Sequence, residues 1–200
     1  MSREGQAKVL TSKEFKRLIT VTSQGPYPTR NVALVYTSFY LGLRVKEIAA
    51  LTIGDVQDVG TGNLHEIVNL SSDMTKGGKQ RYIYLSHFKL KKALLDYLNE
   101  VKVIGETPYL STAPLFRSRN KNRFTPNSLQ QVFARLYQEA GIVGASSHSG
   151  RRTYATRLAE KGVDLKALST LMGHASVQMT ARYVNDNPER LKRISTLIDY

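Results

Sequence analysis

The chain has 200 residues and no cysteine, and its 29 Lys+Arg against 16 Asp+Glu leave a formal net charge of +13. No disulfide framework, thiolate nucleophile or cysteine-ligated metal site can be built from such a chain, and a hydrophobic share of 41% belongs to globular rather than disordered sequences. No apolar run approaches the roughly 18–20 residues that span a bilayer.

The length suits one domain with a full hydrophobic core. Residues 1–6, Met-Ser-Arg-Glu-Gly-Gln, contain no secretory apolar segment, so a cytoplasmic location is expected. Basic side chains exceed acidic ones in both halves of the chain and do not form a tail. A spread positive charge suits a surface for a polyanion, nucleic acid before an acidic membrane.

Thr11-Ser12-Lys13-Glu14 has capping-box spacing and opens a helix to about residue 21. Residues 23–28 are a Gly/Pro break. The next helix is apolar at Val32, Val35, Tyr36 and Phe39 and stops at Gly42. A short helix starts near Arg44 and turns Ile48 and Leu51 inward. Residues 64–70 and 81–85 then read as strands around a glycine-bearing turn at 75–79, with 55–59 as a third strand. From residue 86 the period is helical again, with Phe88, Leu90, Leu94, Tyr97, Leu98 and Val101 on one face. A loop covers 105–114, and helices follow at about 126–140, 149–161, 164–172, 176–183 and 188–198. The expected fold is mainly α with a small antiparallel β-sheet, as a single domain over residues 1–200.

Three segments carry chemistry. His148 and Arg151 lie three apart at the start of a predicted helix, on one face. A helix N-terminus favours an anion there, and imidazole with guanidinium can hold a phosphate and move a proton. In Gly42-Leu43-Arg44-Val45-Lys46-Glu47, Gly42 permits a sharp entry, Arg44 opens a helix, and Glu47 sits one turn on, placed to orient the guanidinium. In Leu171-Met172-Gly173-His174, Gly173 ends a helix, and Tyr183 follows His174 by nine residues. Singly, each has a plain structural explanation: a solvated helix start, a surface ion pair, a packed aromatic.

Together, and in order from about residue 11 to 198, these segments resemble the catalytic domain of the tyrosine recombinase (phage integrase) family. That pattern is an Arg after a Gly-Leu turn, a hairpin Lys, His-x-x-Arg, then Leu-Gly-His and a downstream Tyr. Here it falls on Arg44, Lys76, His148, Arg151, His174 and Tyr183. The resemblance implies a site-specific DNA recombinase that cleaves and rejoins strands through a 3′-phosphotyrosyl intermediate, with no cofactor, metal or ATP. Tyr183 would be the nucleophile, Arg44, Arg151 and His174 would hold the phosphate oxygens, and His148 would take the phenol proton. Lys76 would protonate the leaving 5′-oxygen, and Glu47 would support the site. Lys79, Arg81 and Arg152 are the expected DNA contacts. Lys76 is preferred to Lys79 because it precedes the turn glycines, and Tyr183 to Tyr154 and Tyr200 by its distance from His174.

Expected partners are a double-stranded recombination site and three further copies of the chain in a tetramer, with the amphipathic helix at 188–198 docking in cis or in trans. An accessory DNA-bending or directionality protein is the remaining expected partner, and no membrane is expected. The resemblance leads to the expectation that the family's N-terminal core-binding domain is missing here, the chain being either a fragment or a short single-domain form. Gly150 stands where relatives carry an apolar residue, and looser packing is expected there. Two alternatives share the fold: a catalytically silent DNA-binding module, and a type IB topoisomerase that religates the same strand.

Overall fold

Thr11 opens the first helix as its spacing predicts. Its hydroxyl accepts from Glu14 N at 3.2 Å, and Glu14 Oε2 accepts from Thr11 N at 2.9 Å, so two end donors of α1 (Ser12–Gln24) are satisfied. Such a cap is worth about 1 kcal/mol. The computed structural model describes residues 7–75, 80–105, 109–181, 183, 195 and 196. Over these residues the fold is mostly helical with one two-stranded antiparallel sheet.

Pro28 occupies the first position of α2 (Pro28–Leu41), where its missing N–H costs nothing. Gly42 ends the helix in the left-handed region, φ 59°. The predicted apolar stripe understates this helix. Ala33, Leu34, Val35, Thr37, Ser38, Phe39 and Leu41 are all buried, because α2 is the central helix of the fold. It packs against α1, against α5 (Phe88–Ile104) and against α7 (Ser149–Glu160).

After α3 (Val45–Ala50) comes a correction. Residues 55–59 do not form a third strand: α4 (Ile53–Val56) occupies the segment, and Gln57 makes only an isolated bridge to Leu64. The cause is a second capping box, Thr52 N to Asp55 Oδ2 at 2.7 Å and Asp55 N to Thr52 Oγ1 at 3.2 Å, which sets a helical turn.

The sheet pairs β1 (Ile67–Leu70) with β2 (Arg81–Tyr84), Val68 opposite Ile83 and Leu70 opposite Arg81. Alternation puts Val68, Leu70, Arg81 and Ile83 inside and Ile67, Tyr82 and Tyr84 outside. The turn expected at 75–79 lies, apart from Thr75, outside the described residues, and Lys76 and Lys79 with it.

In α5, Leu90, Leu94, Tyr97 and Leu98 face inward as expected, whereas Phe88 is 70% exposed. It is the first residue of the helix and stacks on His87 with ring centroids 5.3 Å apart. Then follow α6 (Pro126–Glu139), α7, α8 (Leu165–Met172) and α9 (Val177–Ala181). The predicted helix at 188–198 lies outside the described residues apart from Ser195 and Thr196.

The main core joins α1 to α6 and the sheet. A smaller one, Ala155, Ala159, Leu168 and Met172, joins α7 to α8 and carries Tyr154, Leu158, Val163 and Tyr183 on its edge. Between them α7 crosses α2 very closely. A Cβ on Gly150 would lie 2.1 Å from Ser38 Oγ and 3.0 Å from Phe39 Cδ2. Gly150 therefore tightens this crossing, against the expectation of looser packing. Among the described residues, no helix is long and apolar enough to cross a membrane.

Candidate active site

The seam between the two cores collects charge. Glu47, in the first turn of α3, has a fully buried side chain. Arg81, at the start of β2, donates to both of its oxygens, Nη1 to Oε1 at 2.6 Å and Nη2 to Oε2 at 2.8 Å. Arg44 donates from its backbone N to Oε2 at 2.7 Å and from Nη1 to Oε1 at 2.9 Å. Burial raises the pKa of Glu47, but the hydrogen bonds and charges of Arg81 and Arg44 outweigh it and hold the carboxyl below its ordinary value. Glu47 is thus a fixed anion at which two guanidinium groups are oriented.

Arg151, one turn into α7, uses different acceptors. Nη1 donates to Gly42 O and Nη2 to Met172 O, each at 2.6 Å. These carbonyls stand at the C-terminal ends of α2 and α8, where backbone acceptors lack helical partners and the helix dipole is negative. Arg44 Nη2 reaches Gly173 O at 3.3 Å in the same way. Gly173 has φ 59°, and a Cβ there would come 2.7 Å from Arg81 Cδ, so the α8 turn and the Arg81 stem fit only with glycine. Burial first, then repulsion from Arg44, lowers the pKa of Arg151 to about 10, which leaves it charged at neutral pH.

His174 follows that turn. Burial first, then Arg151, Arg44 and Arg81, bring its pKa down to about 4, so its ring is neutral at pH 7. Nδ1 lies 2.8 Å from Thr180 Oγ1. The Tyr183 ring stacks on the imidazole, centroids 5.8 Å apart and planes 12° apart. Two guanidinium groups thus grip one carboxylate and a third, held by backbone carbonyls, lies within their electrostatic reach, with a neutral imidazole and a phenol at the edge. The net positive charge, set in protein rather than water, makes this a site for an anion.

The profile of the Phage integrase family matches residues 8–190, nearly the whole chain. The chain belongs to this family. It is 32% identical over 176 residues to the tyrosine recombinase XerC of Pelobacter propionicus, covering 88% of this chain and 54% of that protein. It is 30% identical over 185 residues to the tyrosine recombinase XerA of Pyrococcus furiosus, covering 92% and 59%. The chain thus spans between half and two thirds of the length of these relatives. A crystal structure of XerA recombinase superposes with a TM-score of 0.75 at 29% identity, covering 99% of this chain and 68% of that one. The Tn1549 transposon integrase in complex with transposon right end DNA shares the fold, with a TM-score of 0.77 at 19% identity, covering 98% and 67%.

Of the residues that the phage integrase motifs select, the fold brings together Arg44, Glu47, Arg151, His174 and Tyr183. His148 is exposed at the cap of α7, one turn before Arg151. Lys76 and Lys79 are outside the described residues. Arg152 is half-buried beside Arg151. Arg81, expected at a DNA-facing surface, is 7% exposed and belongs to the Glu47 ion pair. Of the competing tyrosines, Tyr154 packs its ring against Gly42, and Tyr200 is outside the described residues.

Two contributors were missed in the sequence. The inward place of Arg81 was signalled by alternation with Ile83, since an arginine on the buried face of a strand needs a carboxylate. Thr180, fully buried against His174, lies three residues before Tyr183, but no sequence pattern marks a threonine as an imidazole partner.

Proposed function

We propose that the chain is the catalytic part of a site-specific DNA recombinase, which cuts and rejoins strands through a 3′-phosphotyrosyl intermediate. The carrying observation is the convergence of Arg44 and Arg81 on one buried carboxylate, with Arg151 within electrostatic reach of all three and a tyrosine stacked on a neutral histidine at the edge. A scissile phosphodiester supplies the missing negative charge.

In this reading the Tyr183 oxygen attacks phosphorus and its proton passes to His148. The bond from phosphorus to the 5′-oxygen breaks, and Lys76 protonates that oxygen. Arg44 and Arg151 donate to the nonbridging oxygens, where charge accumulates at pentacoordinate phosphorus, and His174 adds a neutral donor. Arg81 acts through Glu47, keeping Arg44 in place. A 5′-hydroxyl from another strand reverses the step. The tyrosyl ester retains the bond energy, so the balance needs no nucleotide cofactor. On DNA the chain would work as a cytoplasmic tetramer, its 188–198 segment docking in cis or in trans and an accessory DNA-bending or directionality protein setting the outcome.

The test is a nicked duplex whose cleavage releases a short fragment and traps the covalent complex. The wild-type chain should become attached to the 3′ end at one phosphate, and Tyr183→Phe should bind the DNA yet form no adduct. An adduct formed by the Phe variant would refute the nucleophile assignment. Binding without any adduct would identify a silent DNA-binding module. Religation of the same strand without exchange between two labelled duplexes would identify topoisomerase-like chemistry.

A further inference from the structure

Thr180 is fully buried, and among the described residues the partner of its hydroxyl is His174 Nδ1 at 2.8 Å. The pair can be protonated in two ways. If Nδ1 carries the ring proton and donates to Oγ1, the threonine O–H is left as a buried donor without an acceptor. If the threonine O–H donates to Nδ1, the hydroxyl proton and the ring lone pair satisfy each other, and the ring proton sits on Nε2. An orphaned buried donor costs more than an under-used hydroxyl lone pair, so the second arrangement is favoured.

From this geometry we infer that Thr180 is a positioning residue: it fixes His174 as the Nε2–H tautomer and so turns a neutral N–H donor toward the anion site. The same bond ties α9 to the turn after α8. Tyr183 N donates to Thr180 O at 3.0 Å, so the residue that orients the imidazole also anchors the backbone of the tyrosine stacked on it. Donor and nucleophile are thereby tied to one residue, the imidazole through its hydroxyl and the tyrosine through its backbone carbonyl. This inference rests on the recombinase reading for its consequence in catalysis, but not for the tautomer itself.

Long-range proton–nitrogen spectra of the ¹⁵N-histidine-labelled chain, without DNA and at neutral pH, read the tautomer directly. The wild type should show a bare Nδ1 and a protonated Nε2 for His174. Thr180→Val, nearly the same shape without the hydroxyl, should lose this preference, and Thr180→Ser should restore it. In single-turnover cleavage of the nicked duplex, Thr180→Val should be slower by about 10-fold, in the range seen when the partner of a functional imidazole is removed, with Thr180→Ser recovering most of the rate. A protonated Nδ1 in the wild type, or an unchanged tautomer in Thr180→Val, overturns the inference. Wild-type cleavage by Thr180→Val overturns its catalytic consequence. Should the valine variant fail to fold, the wild-type spectrum and the serine variant still decide the tautomer. Should the wild type form no adduct at all, the recombinase reading fails while the spectrum still decides the tautomer.

Discussion

Glu47 shows how one buried side chain can organise several cations. It neutralises part of the charge of Arg44 and Arg81 and aims both. Removing one partner of a buried, hydrogen-bonded ion pair typically costs about 3–5 kcal/mol, because the other charges stay buried without it. Glu47→Gln should lose about that much stability in chemical denaturation. The pH dependence has a definite sign. The folded pKa of Glu47 is depressed, so its contribution is present above the ordinary value of 4.5 and fades as pH falls through the lower folded value. His174 acts earlier: its pKa falls from 6.5 to about 4 on folding, so between these values the unfolded chain binds more protons and stability drops with acidification. The Gln variant should lose the lower window of the unfolding profile and keep the upper one.

The two arginines proposed to grip phosphate differ in how they are held. Arg151 spans two carbonyls at once, and a lysine cannot reproduce that planar fork. Arg44→Lys and Arg151→Lys should each slow cleavage by at least roughly 10²–10³-fold, the scale for losing one donor to an oxyanion. Near-wild-type single-turnover rates for either would remove that residue from the phosphate clamp.

At the scale of elements, the site depends on helix ends and one close crossing. The last carbonyls of α2 and α8 receive Arg151, so displacement of either helix moves the guanidinium. Gly150 sets the distance between α7 and α2, with Ser38 facing it. Gly150→Ala should cost about 1–3 kcal/mol, the range for overpacking a tight core. Ser38→Gly in the same chain makes room for the new methyl group and should recover part of the loss. A double-mutant cycle from denaturation midpoints measures this coupling, and strictly additive effects would contradict the close approach.

At the scale of the whole molecule, the charge of +13 is the dominant property toward a polyanion. The buried arginines account for little of it, since most of the described lysines and arginines are exposed. If binding neutralises about six phosphates, log K should fall with log salt at a slope near −5. A filter-binding or anisotropy series over salt concentration reads it, and an affinity that barely responds would contradict a phosphate-dominated interface. The Arg44 and Arg151 variants should leave this slope nearly unchanged while cleavage collapses, because in the proposed reading the site would hold one phosphate and the exterior many.

The sequence by itself determined the helical class, the antiparallel strand pair, the capped start of α1, the end of α2 at Gly42 and the choice of Arg44, Glu47, Arg151, His174 and Tyr183 as candidate site residues. Each of these depends on local chemistry: a hydroxyl three residues before a carboxylate, a glycine where φ turns positive, ordered motifs around His148, Arg151, His174 and Tyr183. It misread what local chemistry does not decide. Residues 55–59 had strand character, and the Thr52–Asp55 box made a helix. Phe88 fitted the apolar period and lies outside, because periodicity does not say where the partner helix ends. Gly150 suggested slack, and the crossing over Ser38 is tight. Only the tertiary structure decided that Arg81 belongs to Glu47 and not to the surface, that the carbonyls of Gly42 and Met172 hold Arg151, and that Thr180 meets His174. These partners are joined by burial, where an unmatched charge or donor is too costly to leave alone. Burial arises from the packing of segments distant in the chain, which no local pattern records.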